Sequence, residues 1–114
     1  HQAGDDVLVA FARCVRQTIR LRDGFGRVGG EEFLILFPGQ TAEEARHTLE
    51  RVFDAVRALR PFAGQPDTGI TFSAGLSGLV EGDSANSLLS RCDAGLYAAK
   101  EGGRNRLRMN MGQN

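Results

Sequence analysis

Phe25-Gly26-Arg27-Val28-Gly29-Gly30-Glu31-Glu32-Phe33-Leu34-Ile35-Leu36-Phe37 is the stretch whose reading decides the fold. Two short β-prone runs, Phe25 to Val28 and Phe33 to Phe37, flank a glycine pair, and this pattern predicts a β-hairpin. Pro38-Gly39 stops the second run. Glu31 and Glu32 place two negative charges side by side at a tight turn, where they repel each other unless a positive charge lies close. A divalent cation would relieve that repulsion. Magnesium takes hard oxygen ligands, one or two of them carboxylates and the rest phosphate oxygens and water. Without Cβ atoms, Gly29 and Gly30 let a phosphate approach backbone N–H groups and let the chain take positive φ. The same residues would serve a plain hairpin turn with a solvated glutamate pair, so the turn alone leaves both readings open.

Upstream, Val7, Phe11, Val15 and Ile19 recur every fourth position behind Asp5 and Asp6, which predicts an amphipathic helix over 5–21. Downstream, Thr41 and Glu44 form a capping box for a second helix, whose stripe of Ala45, Leu49, Val52, Phe53, Val56 and Leu59 must end before Pro61. Ile70 to Leu76 alternates as a half-buried strand does. Leu88, Leu89, Cys92, Leu96 and Ala99 mark a third helix, closed by Gly102-Gly103 and followed by a basic strand, Arg104 to Met109. The order α, β-hairpin, α, β, α, β predicts an α+β fold in which helices flank one mixed central sheet.

The chain has 114 residues, a hydrophobic share of 41% and 14 charges of each sign, which fits one small domain. Balanced charge argues against a nucleic-acid partner or a charged membrane surface, so an anionic ligand must be held by a local cluster. No apolar run is long enough to span a bilayer and no signal segment opens the chain, so a cytoplasmic domain is expected. Cys14 and Cys92 both fall in helical segments, where free thiols are expected. The opening His1-Gln2-Ala3-Gly4 lacks Met and runs at once into a helix, as a fragment would.

Arg27-Val28-Gly29-Gly30-Glu31-Glu32-Phe33 resembles the signature of GGDEF domains, the diguanylate cyclase family. Three further segments match in order. His1-x-x-Gly4-Asp5-x-Val7-Leu8 is similar to the family's GHxxGDxVL segment, and Thr71-Phe72-Ser73-Ala74-Gly75 to its TxSxG strand. The run from Asp93 through Leu96, Tyr97, Ala99, Lys100 and Gly103 to Arg104-Asn105-Arg106 is similar to its DxALYxAKxxGRNR close. The resemblance covers essentially residues 1–114.

It implies a nucleotide-cyclase, ferredoxin-like palm that condenses two GTP into cyclic di-GMP with release of pyrophosphate, in a homodimer whose half-sites face each other. In that reading Glu31 is a magnesium or manganese ligand and Glu32 supports the same site. Gly29 and Gly30 pass under the phosphates, Lys100 and Arg104 hold the triphosphate, and Asp5 reads guanine. Arg20 and Asp23 fit the family's RxxD site for inhibitory product, with Arg51 as an added contact. The family domain also begins with a strand and helix that carry a further metal-binding Asp, and neither precedes His1. The chain is therefore expected to be the C-terminal larger part of a GGDEF domain that binds magnesium-GTP poorly alone, with a sensor or membrane domain elsewhere in the full-length protein. The rival implied by the same motifs is an inactive GGDEF-like module that binds GTP or cyclic di-GMP for regulation.

Overall fold

The hairpin stands where the glycine pair predicted it. The computed structural model describes residues 2–112. Strand β1, Gly24–Gly29, pairs antiparallel with β2, Glu32–Leu36. Arg27 faces Phe33 while Gly29 faces Glu32, so the register slips by one and Val28 is the extra residue. Gly30 and Glu31 form the turn, and Gly30 has φ +50°, a left-handed value at which a Cβ is strained. Helix α1, Gln2–Thr18, precedes the hairpin, and helix α2, Ala42–Arg57, follows it.

Two units make up the chain, His1–Ile70 and Thr71–Asn114. In the first, α1 packs on α2, and Val15, Leu49, Val52, Phe53 and Val56 are buried. Phe11 of α1 meets Phe33 at 5.1 Å and Phe25 at 6.5 Å between ring centroids. Phe25 and Phe33 stack across the strands at 5.3 Å, so the aromatic cluster couples α1 to the hairpin. Helix α1 stops at Thr18, three residues earlier than its apolar period suggested. Beyond Thr18, the Asp23 carboxylate accepts the Arg20 backbone N–H and bends the chain into a turn. The capping box of α2 forms as expected, with Thr41 and Glu44 satisfying each other's backbone N–H groups.

The second unit holds β3, Ala74–Leu76, helix α3, Ala85–Glu101, and β4, Leu107–Met109. Strands β3 and β4 are parallel and joined by α3, which packs on both. Gly75 is the contact point: a Cβ there would lie 2.0 Å from the Cys92 carbonyl oxygen and 2.2 Å from the Leu96 nitrogen. Gly95, buried on the facing helix turn, permits the same approach from the other side. Ser84 and Ser87 supply a second capping box, with Ser where the familiar pattern has Glu, and for that reason the sequence reading passed over it. Asp83 clamps the preceding loop, accepting from Arg91 Nη1 at 2.7 Å and Nη2 at 2.5 Å, from Val80 N–H and from the Ser87 hydroxyl.

The fold is α+β, as expected, but the single mixed sheet is not what the described strands form. They make two two-stranded sheets, one antiparallel and one parallel. The later strands are also shorter than their patterns. Arg104 and Asn105 have φ of 63° and 50°, values no extended strand allows, so β4 begins only at Leu107. The cysteines are free thiols, Cys14 buried and Cys92 half-buried. No helix among the described residues is long and apolar enough to cross a membrane.

Gly75→Ala should cost about 3 kcal/mol, because backbone rather than a flexible side chain blocks the new methyl; a thermal melt indistinguishable from wild type would refute this contact. The Asp83 carboxyl is held well below its ordinary value of 3.8, chiefly by the Arg91 guanidinium, then by Val80 N–H and the Ser87 hydroxyl. Since its native value lies below its unfolded one, the stabilisation is complete above pH 3.8 and fades as pH falls through the native value. Asp83→Asn should therefore melt below wild type at pH 7, and the gap should narrow in melts taken at progressively lower pH below 3.8.

Candidate functional site

Helix α1 and the hairpin of the first unit enclose an open groove of about 340 Å³. Its α1 wall carries Asp5, Leu8, Ala12 and Arg16, and its hairpin wall carries Phe25, Arg27 and Phe33. Asp5 and Arg16 are eleven residues apart, close to three full turns, so they lie on one helix face with the apolar residues between them. The groove thus has an acidic end on α1, an apolar floor and two arginines. Arg16 Cζ sits 5.0 Å over the centre of the Phe25 ring, a cation–π contact.

Arg27 links the groove to the turn. While lining the groove, it donates from Nε to the Gly30 carbonyl oxygen at 2.7 Å. Glu31 and Glu32 are both exposed beside this bond, Glu31 in the turn and Glu32 at the first position of β2. Neither forms an ion pair with a described residue. Among the described residues no three His, Cys, Asp or Glu side chains gather into a metal cage. A cation at this turn would need phosphate and water for most of its ligands, and that donor set fits magnesium bound together with a nucleotide better than a closed protein site.

Asp5, Gly29, Gly30, Glu31 and Glu32 all fall in the first unit, four of them at one turn and Asp5 on the groove that Arg27 joins to that turn. Lys100 and Arg104 belong to the second unit. Lys100 lies in the last turn of α3, which ends at Glu101, and Arg104 sits beyond it in a left-handed conformation rather than in the strand its sequence suggested. The reason is the C-terminal closure, in which Gly102 N–H bonds Ala98 O and Arg104 N–H reaches back to Ala99 O. Asn105 N–H then bonds the Ser73 hydroxyl, ending the turn against β3. His1, the first residue of the matched opening segment, lies outside the described residues.

Arg20 and Asp23 meet, but each already has a partner. Arg20 donates from Nε and Nη2 to Asp23 Oδ1 at 2.9 and 2.6 Å, and from Nη2 to the Pro38 carbonyl at 2.7 Å. The Asp23 side chain has 0% exposure. Burial pushes its pKa up, but the Arg20 side chain and backbone N–H together outweigh burial and hold it below the ordinary value. Arg51 is exposed on α2. Sequence reasoning missed Arg27, Arg16, Phe25 and Phe33 as groove residues. The eleven-residue spacing from Asp5 would have revealed Arg16, whereas the reach of Arg27 back to Gly30 has no sequence signature.

Comparison with known proteins places this geometry in context. The family model for the diguanylate cyclase GGDEF domain matches residues 1–106. Diguanylate cyclase DgcP of Pseudomonas aeruginosa is 40% identical over 108 residues, covering 94% of this chain and 16% of that protein. Response regulator PleD of Caulobacter vibrioides is 38% identical over 109 residues, covering 92% of this chain and 24% of that protein. The chain therefore spans a quarter or less of these relatives. Among solved structures, the active GGEEF domain of a Vibrio cholerae diguanylate cyclase superposes with TM-score 0.90 and 35% identity, covering 99% of this chain and 72% of that one. The GGDEF domain of DgcB from Caulobacter crescentus in complex with c-di-GMP has TM-score 0.87 and 34% identity, covering 96% and 66%.

Replacing Arg20 by Ala would leave the Asp23 carboxylate buried without its cation and release the turn from Pro38. Arg20→Ala should lower the melting temperature by several degrees, while Arg51→Ala, on an exposed helix face, should leave it nearly unchanged. Equal melting temperatures for the two variants would contradict this assignment.

Proposed function

The chain belongs to the GGDEF diguanylate cyclase family, and from that premise we propose that its Gly29-Gly30-Glu31-Glu32 turn and the Asp5 groove hold one GTP for condensation into cyclic di-GMP. The observation that carries the reading is the Arg27 to Gly30 bond, which joins a groove with an acidic end to a turn with two exposed, unpaired carboxylates. Guanine presents N1–H and an amino group on one edge, and the Asp5 carboxylate can accept from both. Leu8, Phe25 and Phe33 offer apolar surface for the base or ribose. Gly29 and Gly30, with no side chains, leave room for phosphate against the backbone. Glu31 would hold magnesium or manganese, with Glu32 supporting it. A divalent ion bound there supplies charge neutralisation at the phosphates and eases deprotonation of the attacking 3′-hydroxyl.

Lys100 and Arg104 are assigned to the triphosphate by the family pattern, and a Lys and an Arg suit that task as flexible and planar cations respectively. In the reaction each 3′-hydroxyl oxygen attacks the α-phosphorus of the other nucleotide, the new P–O bond replaces the bond to pyrophosphate, and the hydroxyl proton leaves. Such chemistry asks the protein for positioning and positive charge more than for covalent participation. Two half-sites must face each other, so the competent species is a homodimer. The domain is read as cytoplasmic in location, with a sensor or membrane segment elsewhere in the full-length protein. The c-di-GMP complex of the DgcB domain supports the product as a second ligand, and Arg20 and Asp23 are the residues here that would meet it. Binding there must displace at least part of their mutual pairing, a cost that would weaken product affinity.

The protein as its gene encodes it, given GTP and magnesium, should yield cyclic di-GMP detectable by chromatography. Glu31→Ala should lower that yield about a hundredfold or more. Synthesis unaffected by Glu31→Ala would remove the metal assignment, and GTP binding without synthesis in wild type would favour a regulatory module.

A further inference from the structure

Arg27 has a role that its place at the edge of the turn does not announce. Its Nε donates to the carbonyl oxygen of Gly30 at 2.7 Å, three residues along the chain, and that carbonyl belongs to the peptide unit joining Gly30 to Glu31. In a trans peptide the C=O and the following N–H point in opposite directions, and no cis bond occurs among the described residues. Fixing the Gly30 oxygen toward Arg27 therefore fixes the Glu31 N–H away from it. Gly30 itself, at φ +50°, has no side chain to restrain this peptide, and nothing stands within 4 Å of a Cβ built there. A glycine turn is otherwise free to flip that unit.

We infer that Arg27 is a positioning residue: its Nε–H bond to Gly30 O locks the Gly30–Glu31 peptide and so sets the direction in which Glu31 presents its N–H and carboxylate. This rests on the reading of Glu31 as a ligand-holding residue, although the peptide lock is a property of the chain itself. The alternative use of Arg27 is electrostatic. Its two Nη nitrogens have no hydrogen-bond partner among the described residues and could attract a phosphate. The second groove arginine differs, since Arg16 lies over the Phe25 ring. The hydrogen bond is the observed contact, and it is made by the one nitrogen that a shorter neutral side chain can replace.

Arg Nε and Gln Nε2 stand the same number of bonds from Cα, so Arg27→Gln keeps a donor at the right reach and removes the charge. Arg27→Lys does the reverse, because its donor stands one bond further out and its charge remains. Two readouts apply to Arg27→Gln, Arg27→Lys and Arg27→Ala. The first is the amide signal and hydrogen exchange of Gly30 and Glu31 by NMR on the chain without nucleotide. The second is the magnesium concentration for half-maximal synthesis by the full-length protein. Gln should leave the turn amides close to wild type, whereas Lys and Ala should speed their exchange. The magnesium requirement should rise about tenfold or more in Lys and Ala, with less effect in Gln, as when an outer-shell partner of a metal ligand is lost. Normal turn amides in all three variants would overturn the inference, as would a ranking in which Lys preserves function and Gln does not. A wild type that makes no cyclic di-GMP would remove the functional reading, while the amide measurement would still decide the peptide lock.

Discussion

Backbone brought nearer to its neighbours, or bent further, than a Cβ permits is the constraint on which this chain's architecture depends. At Gly75 it lets β3 lie directly on the turn of α3 that holds Cys92 and Leu96, where any side chain would collide with main-chain atoms. The parallel pairing of β3 with β4 follows, since α3 is the crossover between them. At Gly30 the constraint is conformational rather than spatial. Nothing stands within 4 Å of a Cβ built there, yet the positive φ is what allows Glu31 to be carried at the tip of the hairpin.

Charge pairing divides the acidic residues into two groups. Asp23 and Asp83 are nearly or wholly buried on their side chains and each is met by an arginine, so they organise loops. Asp5, Glu31 and Glu32 are exposed, without ion pairs among the described residues, and two of them stand at a turn where they repel each other. Carboxylates left in that condition are suited to an external cation or to the N–H groups of a base. Arg20 is the arginine of the first of these pairs. Its RxxD spacing points to a ligand, and the structure gives the same four residues an internal purpose as a turn closed by side chain and backbone.

How legible the fold was depended on the range of the interaction responsible. The capping box of α2 was legible because its partners lie three residues apart, and the hairpin because its closing pair, Gly29 and Glu32, does too. The end of α1 differs because Ile19 continues the helical period beyond Thr18, up to the Arg20–Asp23 turn that takes the chain away. Arg104 was misplaced for a similar reason: basic residues after a helical run look like more helix or strand, and only the closure onto Ala99 and the Ser73 contact force them left-handed.

Local periodicity and the order of motifs determined on their own the α+β class, the hairpin, the identity of the turn glycines and glutamates, and membership of the GGDEF family. The class, the hairpin and the turn follow from short-range rules, in which side-chain spacing and backbone freedom are written residue by residue, while the family rests on the likeness of four ordered segments. Tertiary structure alone decided that the strands pair as two short sheets, that Asp5 and Arg27 line one groove, and that Arg20 is engaged by Asp23 and Pro38. It also decided that Arg27 grips Gly30, a contact of short range that depends on side-chain rotamer and on the direction of the turn peptide; the sheets and the groove depend on packing between elements, which no linear spacing encodes.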